Sequence, residues 1–589
     1  MTSVDDLFKK ANGSSGSKRK FDITSDPREL YKSAKVKTTD VRNGGTHATV
    51  EEEAEDEEEY GVSAPPDEEE AGDDEDGRFF GSGVNKESKE AMDYLNERGE
   101  ENHEPQKIDK AWVRRVGLNF EKRISKNAEL RSKYEDDPDK FMGSEADLDA
   151  DVKGLSILSE HPDLYEEFAR IGCVRSLVSL LAHENTDIAI DSIQIISELT
   201  DEDVQAEQTQ WDTIVTAMLD ADLLSLLISN FSRFDENNDV DRSGVFHSLG
   251  VMENIASSPD LVTRIGSDAS VLQLLLNRLT ERKSSIITQN IQYTAEILSI
   301  LLQSSPSNRT AFLNLEYDTN AIDTLLQLLA PYRRRDPRKD SEEEEYVENV
   351  FAILTCLLDE TAAKSPFVEA EGIELILIML RDSKFAKSRA IRLLDHALGG
   401  STAAALPVCE KLVDAAGLKT VFGMLMKKPE PAATEHLLAI IASLLRALPG
   451  DSGPRIRLLA KFTEKDWEKI RKLTKLRREY AGRLEGVDKR IEAERKGMKR
   501  EQTEEMADEW LSRRLDAGLY GLQNVDVVLA WLVAEDEGAK KRIGELLAER
   551  DGSLQDIKDT LKGILEGIDT EDDEASNTKE MLSTLMTFL

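Results

Sequence analysis

Cysteine is almost missing from this chain. Three residues, Cys173, Cys356 and Cys409, stand far apart among 589 positions, and no C-x-x-C pair occurs. The number is odd and a chain of this length needs no disulfide staples, so a reducing compartment is expected. No run of about 18 consecutive apolar residues exists, so no membrane span is expected. The opening stretch, MTSVDDLFKKANGSSGSKRK, has no apolar core of the signal-peptide kind. The phosphate loop G-x-x-x-x-G-K-[ST] and the zinc pair H-E-x-x-H are both absent. The seven histidines form no ligand-like pair. His396, in LLDHALGG, reads as a groove or satisfied core residue rather than a catalytic base. Residues 235–246 (DENNDVDRSGVF) have some likeness to a calcium loop. Val240 stands where the sharp turn needs Gly, however, and Phe246 where a bidentate Glu is needed, so a polar inter-helix loop is the better reading. No catalytic residue, metal or cofactor is expected, and an enzyme is the least favoured class.

Positive charge is also scarce. Lys and Arg number 76 against 116 Asp and Glu, a formal net charge of −40. That excludes broad, non-specific nucleic-acid binding by the whole surface and favours basic partners or simple solubility. Much of the excess is local. Residues 51–76 (EEEAEDEEEYGVSAPPDEEEAGDDED) hold 16 acidic residues and no basic one, and such a block cannot bury enough apolar surface to fold. Residues 1–105 are therefore expected to be a disordered region. Within it, KRKFDITSDPRELYKSAKVK carries the triplet Lys18, Arg19 and Lys20, an 11-residue spacer, and then Lys32, Lys35 and Lys37. This is the pattern of a bipartite nuclear localisation signal.

What the chain does have, from about residue 110 onward, is helical periodicity. Leu, Ile and Ala recur at helical spacing, with breaks at Gly, Pro, Asn and Asp, and strand-like alternation is nearly absent. A long region of short helices calls for a search for repeats. Degenerate repeats are present, as in IGCVRSLVSLLAHENTDIAIDSIQIISELTDED, DASVLQLLLNRLTERKSSIITQNIQYTAEILSILLQSS and AGLKTVFGMLMKKPEPAATEHLLAIIASLLRALPG. Each has an apolar helix, a polar break and a second apolar helix, the two-long-helix rhythm of an armadillo or HEAT solenoid with a period near roughly 40–47 residues. The expected fold is an all-α, right-handed, armadillo/HEAT-like solenoid. Residues 106–150 form an N-terminal helical cap, 151–450 the repeats, and 451–589 a C-terminal helical region that caps the stack.

Two basic segments interrupt the acidic background. KAWVRRVGLNFEKRISKNAELRSK (110–133) has eight basic and two acidic residues. Residues 455–500 carry 17 basic and 8 acidic residues, a local charge of +9, on what reads as a long charged helix pair. Both could touch RNA phosphates, but solvated helix faces or internal pairing with acidic neighbours are the better reading. Neither has interleaved aromatic platforms for single-stranded binding. A third feature is the second helix of the first repeat. Ile188, Ala189, Ile193, Ile195, Ile196 and Leu199 form its core stripe, and Asp187, Asp191, Gln194 and Glu198 fall at i, i+4, i+7 and i+11 on one polar face. In an armadillo repeat the second long helix lines the concave groove, so this face is either groove or an exposed flank.

The strings LNFEKRISKNAELRSKYEDDPDKFMGSEADLD, HPDLYEEFARIGCVRSLVSLLAHENTDIAIDSIQIISELTDED, AIRLLDHALGG, LLAKFTEKDWEKI and RRLDAGLYGLQ closely resemble the beta-catenin-like protein 1 family, from about Val116 to the C-terminus. The resemblance implies a nuclear armadillo protein associated with the spliceosome, in the Prp-nineteen complex. It also implies that basic, nuclear-localisation-type segments of splicing factors are partners, among them the Myb-like Cdc-five subunit, and in vertebrates activation-induced deaminase. A comparison with importin-alpha, whose groove helices carry Trp and Asn ladders, sharpens the groove. In the apolar frame the Trp positions become Gln194, Gly250, Glu296, Ala352, Arg392 and Ala439. The Asn positions become Glu198, Asn254, Ile300, Cys356, His396 and Ser443, so Asn254 alone keeps the ladder. The expected grip is by Asp187, Asp191, Gln194 and Glu198, with Asn254 and Glu296, and rests mainly on carboxylates, concentrated in the first three repeats. The alternatives are a nuclear import receptor or adaptor and an RNA-contacting spliceosome subunit. Self-association into a homodimer stays open.

Overall fold

The computed structural model describes residues 107–280, 286–315, 320–427, 429–498, 500–568 and 573–589. The candidate localisation signal (Lys18, Arg19, Lys20, Lys32, Lys35, Lys37) and the acidic run lie outside them. Among the described residues there are helices and turns and no strand.

The first long helix, α1 (Lys110–Lys133), starts where Asp109 accepts from the backbone N–H of Ala111 and Trp112, satisfying two donors a helix leaves orphaned. α2 (Met142–Gly154) follows. Six repeats then each end in a long helix: α3 (Thr186–Thr200), α4 (Asp239–Ala256), α5 (Gln289–Ser304), α6 (Glu342–Leu357), α7 (Ala386–Leu398) and α8 (Pro431–Ala447). Polar caps set several of their starts: Asn185 before α3, Asn238 before α4, Thr288 before α5 and Ser341 before α6. Asn238 lies in the calcium-like stretch, and its cap is what that stretch contributes. α2 packs on α3 and α3 on α4, and so on through α8, making one continuous wall.

Each repeat has three helices, where the periodicity alone divides it into two. A short helix precedes the apolar one: Tyr165–Arg170, Gln208–Leu219, Pro259–Ser267, Pro306–Leu313, Thr361–Glu369 and Thr402–Asp414. Proline conceals several of them. It stands at the first helical position in Pro259 and Pro306, where its missing N–H costs nothing, and inside the helix in Pro366 and Pro407.

The turn between the short helix and the next is tight. Asp222, Glu371 and Ala416 take left-handed φ of 63°, 58° and 59° there. In two of these turns a glycine stands one residue later, for a different reason. A Cβ at Gly372 would lie 2.3 Å from the Phe367 ring, and one at Gly417 would lie 2.3 Å from Leu412. These glycines permit a close approach, and their neighbours carry the backbone strain.

The predicted stripe of α3 is buried throughout, and Ile190 and Ser192 are buried with it. A helix clamped between two wall neighbours and the apolar helix of its own repeat needs more than one apolar face.

After α8 the chain runs into α9 (Gly453–Arg495). Its helical path breaks at Glu464–Trp467, with φ of 54°, 55° and 61° at Lys465, Asp466 and Trp467, so the expected charged helix pair is two runs joined by this turn. α10 (Leu519–Glu535) packs on both α8 and α9 and closes the end of the wall. Arg455, fully buried, ties this region together. It donates to the Leu445 carbonyl and to Glu535 and lies 4.7 Å from the Trp531 ring.

Candidate functional site: an acidic groove wall

The six residues expected to line the groove do not act as one face. Asp187 is exposed in the first turn of α3, eleven residues and so about 16 Å of helix from Glu198. Asp191 is turned into the seam with α2. Its carboxylate lies 3.3 Å from Lys153 Nζ and is hydrogen-bonded with Asp149. Burial, and after it the hydrogen bond and charge of Asp149, push its pKa up to about 6. Asn254 donates to the Ser197 carbonyl (3.0 Å) and the Thr200 hydroxyl (3.2 Å), so its amide is spent on holding α4 to α3.

Gln194, Glu198 and Glu296 do face the wall. Glu198 accepts from Gln194 Nε2 at 2.9 Å and from Ser156 Oγ at 2.6 Å. Glu296 accepts from Gln292 Nε2 at 2.8 Å.

These carboxylates share the wall with others. Tyr293 of α5 donates to Glu253 of α4, and its ring lies 5.3 Å from that of Phe246. Burial first, then Glu253, Glu296 and Asp201, raises the Tyr293 pKa far above that of an ordinary phenol. His247 is held below the usual imidazole value by burial, against the opposing pull of Glu198. A Cβ on Gly250 would lie 3.2 Å from Ser197 Oγ, a tight approach, and 3.5 Å from the Tyr293 hydroxyl, an ordinary contact, so the glycine eases the fit of α4 against α3. Glu253, Glu296 and Asp201 thus gather around Tyr293, with Glu198 acting on His247 beside them. Glu198 and Asp201 also line an open cleft of about 570 Å³ with Ser156, Ser159, Glu160 and Asp203.

Asp201, Asp203 and Glu253 escape the sequence reading. The first two sit in the acidic end of the α3 segment itself, ELTDED. Glu253 is next to Asn254 but falls outside a ladder spaced by four. Further along the wall the carboxylates are consumed. Glu348 pairs with Arg389, Asp359 with His396 at 2.7 Å, and Asp395 with His436 at 2.8 Å. Three arginines of α1 are internally paired as well: Arg114 with Glu167 (2.7 Å), Arg123 with Asp151 (2.7 Å), and Arg131 with Glu145 and Glu184.

The chain matches the model of the catenin-beta-like, Arm-motif containing nuclear family over residues 89–562. It is similar to the beta-catenin-like protein 1 homolog of Schizosaccharomyces pombe, at 38% identity over 84% of this chain and 85% of that one. It is also similar to beta-catenin-like protein 1 of Homo sapiens, at 36% identity over 78% of this chain and 82% of that one. A solved engineered protein overlays with a TM-score of 0.44 and 15% identity, over 79% of this chain and 99% of that one, a likeness too loose to bear on function.

Proposed function

The chain belongs to the catenin-beta-like, Arm-motif containing nuclear family, and from that premise we propose that it is a splicing scaffold that holds basic segments of other nuclear proteins against the acidic wall of α3, α4 and α5. The observation that supports this most is the convergence of Glu198, Asp201, Glu253 and Glu296 around Tyr293 and His247. A Lys/Arg-rich segment lying across these helices meets a carboxylate at each of them and an aromatic surface between. Exposed ion pairs contribute roughly 0.2–1 kcal/mol each, so no single carboxylate dominates. Grouped on one wall they act together, and the encounter is steered by their summed field.

The splicing assignment, the Prp-nineteen complex and its Myb-like Cdc-five subunit as partner rest on the resemblance to the family. An importin-like grip is the weaker reading, because the one Asn of the ladder, Asn254, already donates to Ser197 and Thr200.

Calorimetric titration of a Lys/Arg-rich splicing-factor peptide tests the proposal. Glu198→Lys with Glu296→Lys is expected to weaken binding about tenfold or more, roughly 1.4 kcal/mol, with circular dichroism unchanged because neither residue is buried in the core. Wild-type affinity is expected to fall steeply with salt. Equal affinities in two folded proteins would reduce this wall to a solvated flank.

A further inference from the structure

The second basic segment behaves differently from α1. The run of α9 after its break buries Ile470, Leu473, Leu476, Tyr480 and Leu484 against its neighbours. The opposite side is exposed and cationic, with Lys475, Arg478, Arg483, Lys489 and Arg490. Lys475 and Lys489 make helix-surface pairs with Glu479 (3.8 Å) and Glu485 (2.6 Å), which are weak and exchangeable. None of the three arginines makes a salt bridge with a carboxylate among the described residues, although Arg483 lies 4.8 Å from the Tyr480 ring and acts on Glu435, and Arg490 acts on Glu494. Each donates Nε to a carbonyl of its own helix: Arg478 to Thr474 (3.4 Å), Arg483 to Glu479 (3.4 Å) and Arg490 to Gly486 (3.2 Å). In a chain of net charge −40, where Arg114, Arg123 and Arg131 of α1 find carboxylates on neighbouring elements, three exposed guanidinium groups without a salt bridge on one helix leave donors for a ligand.

The floor between them is bare. Gly482 and Gly486 lie on this stretch, and a Cβ at either would meet nothing within 4 Å. The large apolar side chains that are exposed elsewhere, such as Met142 and Phe588, have no counterpart here. A protein partner needs apolar or aromatic anchors at the centre of its interface, and this face offers none. It offers a row of forked cations over twelve residues, about 18 Å of helix, with close access to the helix surface. Guanidinium forks match phosphate geometry. No exposed aromatic platform is present to stack bases, so contacts of this kind carry no sequence information.

We propose that the outward face of α9 between Arg478 and Arg490 binds the phosphate backbone of a nucleic acid. The surrounding negative charge does not prevent this, because a Debye length of about 10 Å at 0.1 M salt confines both attraction and repulsion to the neighbourhood of the strip.

The experiment is fluorescence anisotropy of a labelled single-stranded RNA of about 20 nucleotides titrated with the full chain, between roughly 50 and 200 mM salt. The wild type is expected to bind, and to lose affinity as salt rises. Arg478→Gln/Arg483→Gln/Arg490→Gln is expected to weaken binding about tenfold or more and to flatten the log–log salt slope by about 2, three phosphates at about 0.7 each. The triple Arg→Lys variant keeps the charge but loses the forks, and is expected to bind between wild type and the Gln variant with the wild-type salt slope. Titration of the groove peptide is expected to be unchanged in both variants, since the acidic wall belongs to other helices. Absence of RNA binding at the lowest salt, or a Gln variant equal to wild type, overturns the proposal. So does a Lys variant as weak as the Gln variant, because a phosphate backbone reads charge. Competition by a poly-glutamate peptide as effective as unlabelled RNA overturns it in favour of an acidic protein partner.

Discussion

At the scale of single residues, the most telling side chain is a lysine that no carboxylate among the described residues holds in a salt bridge. Lys364, in the short helix Thr361–Glu369, is buried and donates through Nζ to the carbonyls of His396 and Ala397, both at 2.9 Å. These belong to the last turn of α7, where carbonyls lack intrahelical partners and a cation is favoured by the helix dipole. Burial nevertheless lowers its pKa to about 8 from the ordinary lysine value of 10.5, with Asp359 opposing. The folded-state pKa is the lower one, so between these two values the unfolded chain binds more protons than the folded one. This lysine's contribution to stability therefore rises with pH through that window and is lost as pH falls through the lower value. Urea midpoints measured either side of the window, for wild type and Lys364→Met, check this. The wild type should gain more stability on going alkaline than the variant, and parallel pH profiles would show that the lysine is solvated instead.

At the scale of elements, the joint between α9 and α10 rests on a buried ion pair. Arg477 Nε lies 2.7 Å from Asp526 Oδ1, with Arg477 at 9% and Asp526 at 0% side-chain exposure. Burial pushes the Asp526 carboxyl up to about 6 even with Arg477 pulling the other way. The desolvation cost is thus visible in the acid that bears it. Removing one partner leaves the other uncompensated and costs roughly 3–5 kcal/mol, whereas replacing both with apolar groups is often near neutral. Arg477→Met is expected to lower the denaturation midpoint strongly at neutral pH and less in mild acid, where Asp526 takes up a proton. Arg477→Met with Asp526→Leu should recover most of the loss. Additive losses in the double variant would mean that the arginine acts by packing and not by charge.

At the scale of the whole molecule, stability is a sum over repeats and their interfaces. The wall α2 to α8 is built from neighbour-to-neighbour contacts, each long helix packing on the next. Such a stack behaves as a one-dimensional array, in which damage stays local. Ile196 is fully buried in α3, and Ile196→Ala should cost about 2–5 kcal/mol through lost transfer energy and a residual cavity. Hydrogen exchange should show the lost protection in α2, α3 and α4, with α8 and α10 close to wild type. A uniform loss along the chain would mean that the repeats unfold as one cooperative unit.

The sequence by itself determined the helices, the repeats and the buried stripe. These follow from local spacing: apolar residues at helical intervals must face a core, and Asn185, Asn238 and Ser341 can cap only the helices they precede. The short first helix escaped in several repeats because prolines such as Pro366 and Pro407 look like breaks until a neighbour packs against them. The fate of charges was decided only by the tertiary structure. Asp191 and Glu198 are seven residues apart on one helical face, yet one is drawn into a seam by Lys153 and Asp149 while the other meets the cleft. Arg114 and Arg478 are alike in sequence context, yet one finds Glu167 across the fold and the other faces outward. A helical period fixes the direction in which a side chain leaves its own helix. What stands opposite it depends on how neighbouring helices are offset, and that offset is set by how their side chains pack.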